Sequence, residues 1–340
     1  MVWIFFVIAG CISLLLTSAL RRYALSKSLI DVPNARSSHT VPTPRGGGVA
    51  IVLSFLLLVP LLSIFSLLPW ASAWGLIGAG VGVAVLGFLD DHGHIAARWR
   101  LLGHFSAAVW ALFWLGGIPP LTIMGVVFDM GWIGVVLSLF YLVWMLNLYN
   151  FMDGIDGLAS VEAIAVCLSA SLIYALMGFS SLVWAPLLLS FTVAGFLYWN
   201  FPPAKIFMGD AGSGFLGVTL GILSLQAACA SPALLWVWVI LMGVFVVDAT
   251  FTLVRRLVRG DKVYEAHRSH AYQYASRQFG RHLPVTLTVG LVNVVWLLPV
   301  ALCVALLGLD GFVGVIIAYI PLVMLAWKFQ AGAVEKSEAR

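Results

Sequence analysis

Charge is what this sequence has least of. Lys, Arg, Asp and Glu make up 9% of the 340 residues, while 62% are hydrophobic. Soluble domains carry about 25% charged residues, so the scarcity excludes a soluble globular domain and leaves an integral membrane protein. The alternating pattern of a transmembrane barrel is also missing. The apolar runs, of about 18 to 24 residues, suit helices crossing a hydrocarbon core of about 30 Å. Cysteine is sparse: Cys11, Cys167, Cys229 and Cys303 fall in or beside separate apolar runs, without CxxC spacing or a histidine at metal-ligand spacing. Neither disulfides nor zinc is expected. There is no repeat of about 20 to 50 residues and no low-complexity linker, so residues 1–340 read as a single polytopic domain. The run from Val2 to Leu20 has no basic segment ahead of it and no obvious cleavage site after it. It reads as a retained first span.

What is present is a series of apolar runs divided by polar or Pro/Gly breaks. Eleven candidate spans cover residues 2–20, 46–69, 71–89, 101–118, 131–151, 158–178, 181–199, 211–229, 232–254, 283–306 and 308–328. The fold class is therefore an all-α polytopic helical bundle of about eleven transmembrane helices. With the N-terminus outside, every loop that follows an odd-numbered span faces the cytoplasm. Those loops, with the C-terminal tail, hold all 18 Lys and Arg residues. They run from Arg21, Arg22, Lys27, Arg36 and Arg45 in the first loop to Lys328, Lys336 and Arg340 at the end. The opposite loops contain no Lys or Arg, which is the positive-inside pattern. A small outer hairpin is expected between Gly117 and Gly131.

The polar motifs fall on the same expected cytoplasmic side. Asp90 and Asp91 end the third span, and two adjacent carboxylates at a membrane boundary call for a cation nearby unless they form a solvated cap. Arg98 and Arg100 follow within one short loop and offer phosphate donors. Asn147, Asn150 and Asp153 recur every three residues along one helical face, ahead of the steps Asp153-Gly154 and Asp156-Gly157. A C-cap needs one Asn and one Gly, so this convergence of oxygens points to a ligand or metal. Asp210 opens the eighth span among small residues, near Lys205 and Phe207, where free helix N–H groups could receive an anion and the Asp could serve as N-cap. Oxygen ligands beside phosphate suit Mg²⁺. A long basic loop carries His267, Arg268, His270, Tyr272 and Gln273, which reads either as topology and lipid attraction or as an arm closing on substrate. His92, His94, His104 and His282 read as interfacial or structural. The first loop, from Asp31 through Pro33, Asn34, Arg36, Ser38 and His39 to Arg45 and Gly48, prescribes a fixed turn back to the membrane and could be only a connector. Glu162 and Asp248 lie within spans and are functional candidates by position, either shaping a cavity or pairing with a loop Arg.

In order and spacing, DD, NxxNxxDGxDGL, FMGDAGSG and HRSH resemble the polyprenyl-phosphate N-acetylhexosamine-1-phosphate transferase family, which is glycosyltransferase family 4. Its WecA- and WbpL-type initiators are related to the enzymes that form lipid I. The resemblance runs from about Asp31 to Gln273, and it implies Mg²⁺, with Mn²⁺ as a substitute, held by Asn150 and Asp210 on the diphosphate of a UDP-N-acetylhexosamine. It implies uracil stacked on Phe207 and met at its edge by Asp156. Asp90, Asp91, Asp153, His267 and His270 become candidate catalytic residues, and Asn147, Lys205, Arg98, Arg100 and Arg268 join Asp156 and Phe207 as substrate-binding residues. The acceptor would be undecaprenyl phosphate in a bacterial inner membrane, with UMP released. The HRSH arm departs from the histidine-richer arms of other branches and resembles initiators that use N-acetylfucosamine or related 6-deoxy sugars. The glycan expected is O-antigen or another surface polysaccharide. No nucleic acid partner is expected, and a homodimer is left open. The rival is an ion-coupled secondary transporter, whose acidic sites belong near the bilayer midplane. A non-catalytic lipid-carrier scaffold would have no need of the full acid, amide and histidine set.

Overall fold

A chain in lipid must close its backbone hydrogen bonds internally, and in the computed structural model each expected span contains a helix. The structure describes residues 2–33, 38–93, 95–262 and 267–334. Asn34, Arg36, His94, Lys336 and Arg340, named above, lie outside the described residues.

The helices in chain order are α1 (Val2–Ser26), α2 (Val49–Ile64), α3 (Trp70–His92), α4 (Ala97–Leu115), α5 (Gly131–Met152), α6 (Leu158–Met177) and α7 (Ser180–Asn200). There follow α8 (Asp210–Ala230), α9 (Pro232–Leu241), α10 (Gly243–Val258), α11 (Ala271–Phe279), α12 (Leu283–Val292), α13 (Leu298–Leu306) and α14 (Gly311–Lys328). A π-helical turn, Asn293–Leu297, joins α12 to α13. Two short antiparallel pairs complete the fold. Strand β1 (Ile30–Asp31) pairs with β2 (Thr43–Pro44) and clips the first loop, while β3 (Leu121–Ile123) pairs with β4 (Val126–Phe128) in the expected hairpin.

Among the described residues, eight helices are long and apolar enough to cross a membrane, or nine if α9 and α10 count as one bent span. The sequence reading gave eleven. The difference lies in α2, only 16 residues long, in α4, which takes Arg98, Arg100 and His104 into its first turns, and in the break between α9 and α10. That break turns the chain by 72°. The helix beyond it, α10, carries Asp248, Arg255 and Arg256, which hydrocarbon disfavours. Tyr319 Oη donates to the carbonyl of Val239 at 2.8 Å, satisfying a backbone group near the bend.

Helix α8 is the axis of the bundle, with every residue from Ala211 to Ala228 buried. Small residues let its neighbours approach closely, as in many membrane helix pairs. A Cβ on Gly217 would lie 2.6 Å from the Met145 carbonyl of α5, and one on Gly87 of α3 would lie 2.5 Å from the Ala211 nitrogen. These two contacts bring the ends of α3 and α5 against the start of α8. The two in-span acids are absorbed into the packing. Glu162 accepts from Asn293 Nδ2 at 2.5 Å, at the start of the π turn, and Asp248 holds the segment that begins α11. Among the described residues, neither forms a salt bridge with a loop arginine.

Candidate functional site

Three chain segments converge at one end of the bundle. The first loop lies along the segment before α8: Phe207 N–H donates to the Pro44 carbonyl at 2.8 Å, Gly47 N–H to the Phe207 carbonyl at 2.9 Å and Gly48 N–H to the Met208 carbonyl at 2.8 Å. Gly48 packs so tightly that a Cβ would sit 2.5 Å from Gly212 Cα. The first loop is thus part of the site and more than a connector.

Asp90 and Asp91 are neighbours in sequence, yet a helix sends them in directions about 100° apart. Asp90 Oδ2 meets Arg100 Nη1 at 2.6 Å and its Oδ1 accepts from the Ile95 N–H at 2.9 Å. Arg100 Nη1 also stands 3.8 Å from Asp210 Oδ2, so one guanidinium serves two carboxylates. Asp91 turns to α8, where its oxygens accept from the N–H groups of Asp210 at 3.3 Å and Ala211 at 3.5 Å. Arg45 Nη2 donates to the Asp91 carbonyl. The helix N-terminus that the sequence offered to an anion is therefore occupied by the carboxylate of Asp91. The capping expected of Asp210 falls to Asp91, and Asp210 is the first helical residue.

From the end of α5, Asn147 Nδ2 donates back to the Val143 carbonyl at 2.7 Å, while Asn150 Oδ1 accepts from Ser213 Oγ at 2.7 Å. Asp153 follows at the C-cap, half-buried. Burial raises the proton affinity of its carboxyl well above the usual range, and the charges of Asp210, Asp91 and Asp156 add to the effect. Asp156 sits in the turn before α6. Its Oδ2 accepts from the Ala204 N–H at 3.0 Å and its Oδ1 meets His282 Nδ1 at 3.1 Å.

The arm from His267 to Gln273 is held by Asp248. Its carboxylate accepts from the N–H groups of Ala271 at 2.9 Å and Tyr272 at 3.0 Å and meets His270 Nδ1 at 3.3 Å. Tyr272 Oη reaches across to the Phe151 carbonyl at 2.9 Å, tying the arm to α5. The rings of His267 and His270 stack with centroids 5.0 Å apart. Burial, then the neighbouring His270 and Arg256, lowers the His267 pKa to about 3.

Two cavities open between these groups. One, of about 490 Å³, has apolar walls from Val83, Leu86, Leu101 and Leu146, with Asp90, Arg100, His104, Asn147, His267 and His270 around them. The other, of about 580 Å³, is polar and is lined by Arg45, Asp91, Asp153, Asp156, Phe207 and His282, among others. They share Asn150, Gly154, Asp210 and Gln273. Most of the expected site residues come together here, but three do not line either cavity. Arg98 lies over the Trp99 ring at 5.7 Å, Lys205 over Trp199 at 5.5 Å and Tyr198 at 5.7 Å, and the Arg268 carbonyl accepts from Arg277.

Among the described residues, no cluster of three or more His, Cys, Asp or Glu is arranged to enclose a metal ion. The donor set still suits a hard cation. Asp210 and Asn150 supply oxygen only, and Mg²⁺ commonly takes one or two protein ligands and completes its shell with water and phosphate oxygens. The crowding of carboxylates around Asp153 favours a cation between them.

Sequence reasoning passed over several residues of this site. His282 and His104 read as structural, yet both line cavities, and His39 and Arg45 were hidden in a loop without a distinctive motif. Gln273, four residues after Ser269 in the arm, was visible as part of the HRSHAYQ run.

Residues 73–228 match the profile described as Glycosyl transferase family 4. The chain is 31% identical over 275 residues to a probable undecaprenyl-phosphate N-acetylglucosaminyl 1-phosphate transferase of Bacillus subtilis, covering 78% of this chain and 75% of that protein. It is 29% identical over 273 residues to an undecaprenyl-phosphate alpha-N-acetylglucosaminyl 1-phosphate transferase of Thermotoga maritima, with 79% and 80% covered. A phospho-N-acetylmuramoyl-pentapeptide-transferase of Halalkalibacterium halodurans is 31% identical over 313 residues, with 84% and 92% covered.

Proposed function

From the premise that this chain belongs to glycosyl transferase family 4, as a multi-pass membrane phosphoglycosyltransferase, we propose that it moves an N-acetylhexosamine-1-phosphate from a UDP-sugar to undecaprenyl phosphate. The sugar is N-acetylglucosamine or a 6-deoxy sugar such as N-acetylfucosamine. The product initiates O-antigen or another surface polysaccharide in a bacterial inner membrane, with the site and C-terminus cytoplasmic and the N-terminus outside. The observation that carries this reading is the pair of cavities of opposite character joined at Asn150 and Asp210. An apolar-walled cavity with an arginine suits a lipid phosphate, and a polar one with Phe207 and Asp156 suits a nucleotide.

The reacting groups then meet at the shared wall. An oxygen of the acceptor phosphate attacks the β-phosphorus of the donor, the bond from that phosphorus to the bridging oxygen breaks, and UMP leaves with that oxygen. Asp210 and Asn150 would hold Mg²⁺, or Mn²⁺ in its place. Bound there, the ion would polarise the diphosphate and offset its charge. Arg100, steered by Asp90, faces the same space and stabilises charge gathered between two anions. Asp90 commits both oxygens to Arg100 and Ile95, which gives it an orienting task. Asp153 lines the donor cavity beside the shared wall. Little base is needed, because a phosphate monoester has a second pKa of about 6. Asp91 fixes the start of α8, and the His267–Gln273 arm covers the first cavity from the other side. Phe207 offers its ring to the base, and Asp156 retains lone pairs for an N–H at the base edge.

The test is UMP release by purified protein given undecaprenyl phosphate and a panel of UDP-N-acetylhexosamines. Release with one sugar, abolished by EDTA and by omission of the lipid, is the expected result. Silence across the panel in folded protein would defeat the assignment.

A further inference from the structure

His282 stands just before α12 with its imidazole between two acceptors. Nε2 lies 2.9 Å from the Ser38 carbonyl oxygen and Nδ1 lies 3.1 Å from Asp156 Oδ1. A carbonyl and a carboxylate can only accept, so these two contacts are hydrogen bonds at once only in the doubly protonated imidazolium, whereas in the neutral ring Nδ1 accepts instead from the Asp156 main-chain N–H, 3.4 Å away. Asp156 is pinned further, since its main-chain carbonyl accepts from Thr286 Oγ1 at 2.8 Å. Next along the first loop, His39 meets the Phe207 ring edge-on with centroids 4.8 Å apart. Its Nε2 is buried and has no protein partner among the described residues. His39 lines both the polar cavity and an adjoining one of about 600 Å³. The loop, Asp156 and Phe207 come from three distant parts of the chain, and His282 is the side chain that joins the first two.

We propose that His282 is a positioning residue that ties the first loop to Asp156, setting His39 against Phe207 so that the two rings form the wall that receives the donor's base, with His39 Nε2 left to bond a polar edge of it. This rests on the reading of the polar cavity as the donor side. Among the described residues, the charged and titratable groups on the elements packed around His282 are Asp153 and Asp156, then Asp31, His39 and Arg45 of the first loop, and Arg277 and Arg281. Burial opposes the charge on His282, but the hydrogen bond and charge of Asp156, with the Ser38 carbonyl, outweigh it and raise the pKa above the usual histidine value. Deprotonation exchanges the charged bond to the Asp156 carboxylate for the longer one from its main-chain N–H, which frees that carboxylate oxygen and loosens the base wall. The lipid side has no part in this linkage.

The experiment is equilibrium binding of UDP-N-acetylglucosamine to the full-length protein in detergent at about pH 6 and about pH 8.5, without acceptor. The donor's diphosphate is a diester and does not titrate in this window. For the wild type, Kd is expected to rise about tenfold at the higher pH, the scale of one lost hydrogen bond to a charged group. His282→Gln binds weakly at both pH values, and its acceptor KM stays within about twofold of wild type in turnover assays. His39→Ala also weakens donor binding and flattens the pH dependence, and the double variant is no weaker than His282→Gln, because the two act through one wall. Should His282→Gln fail to fold, wild type and His39→Ala decide alone. A pH-independent wild-type Kd, or a pH dependence kept in either variant, overturns the proposal. Absence of UDP-sugar binding by folded wild type at both pH values instead removes the donor reading beneath it, a result distinct from binding that ignores His282.

Discussion

The carboxylate of Asp91 caps the helix that Asp210 begins, accepting from the N–H groups of Asp210 at 3.3 Å and of Ala211 at 3.5 Å. The positive end of the α8 dipole is thereby met by a fixed protein charge, and the side chain of Asp210 is left to face the shared wall of the two cavities. The two aspartates have different tasks, and substitution separates them. Asp91→Ala uncaps α8 and is expected to cost about 1 kcal/mol of stability, visible as a lowered Tm. Asp210→Asn is expected to leave Tm near wild type and to lower turnover at least about a hundredfold, the scale of a lost positioned group. Near-normal turnover in folded Asp210→Asn protein would remove Asp210 from the reaction.

Metal binding has its own readout. Mg²⁺ at about a hundred times its Kd is expected to stabilise the donor-bound protein by about 2.7 kcal/mol through mass action, and Mn²⁺ to do the same. Thermal unfolding with and without the ion should show the shift in wild type and lose it in Asp210→Asn and Asn150→Ala. A shift of equal size in Asp210→Asn would place the ion elsewhere.

Asp248 lies outside both cavities that form the site but holds the arm through Ala271, Tyr272 and His270. Asp248→Ala leaves those donors without an acceptor and frees the arm. Misplacement of groups near reacting atoms costs about a hundredfold in rate, so turnover is expected to fall by about that factor. Asp248→Asn, which keeps one acceptor oxygen, should fall less. Donor KM and kcat measured together would show whether the arm acts in binding or in the reaction.

His267 predicts a pH dependence of stability. Its folded pKa is lowered to about 3, chiefly by burial, against about 6.5 for a free histidine. Between these values the unfolded chain binds more protons than the folded one, so stability falls as pH drops from about 6.5 toward 3. His267→Gln removes that contribution. Unfolding midpoints in detergent from about pH 4 to about pH 7 should therefore fall less steeply for the variant. An identical slope would show that His267 is solvated in the folded protein.

Much of the fold was legible because lipid imposes a simple rule on the chain, and each expected apolar run contains a helix. The bend between α9 and α10 was harder to see, since the run 232–254 is apolar enough to pass as one span. Only the spacing of Asp248, Arg255 and Arg256 shows that its second half is amphipathic. At the site, oxygens grouped by motif were visible, but their assignments depended on helix phase and partners. Asn147 spends its amide on its own helix while Asn150 turns to Ser213. The adjacent Asp90 and Asp91 separate to Arg100 and to α8. Lys205 was placed in the site by its nearness to Asp210 in sequence, whereas it lies over two aromatic rings. The pairing of His282 with Asp156 joins distant segments, and no spacing along the chain announces it.

The wall shared by the two cavities has a consequence for inhibition. Asn150, Gly154, Asp210 and Gln273 border both spaces, so a compound with a polar, ring-bearing head and a short greasy tail needs only one connection to reach from one chamber to the other. Once its head is seated, the tail meets its chamber at an effective concentration in the millimolar range for a short flexible linker. Two weak fragments joined at the right length would then bind far more tightly than either alone, and lengthening or stiffening the join would report the distance between the chambers.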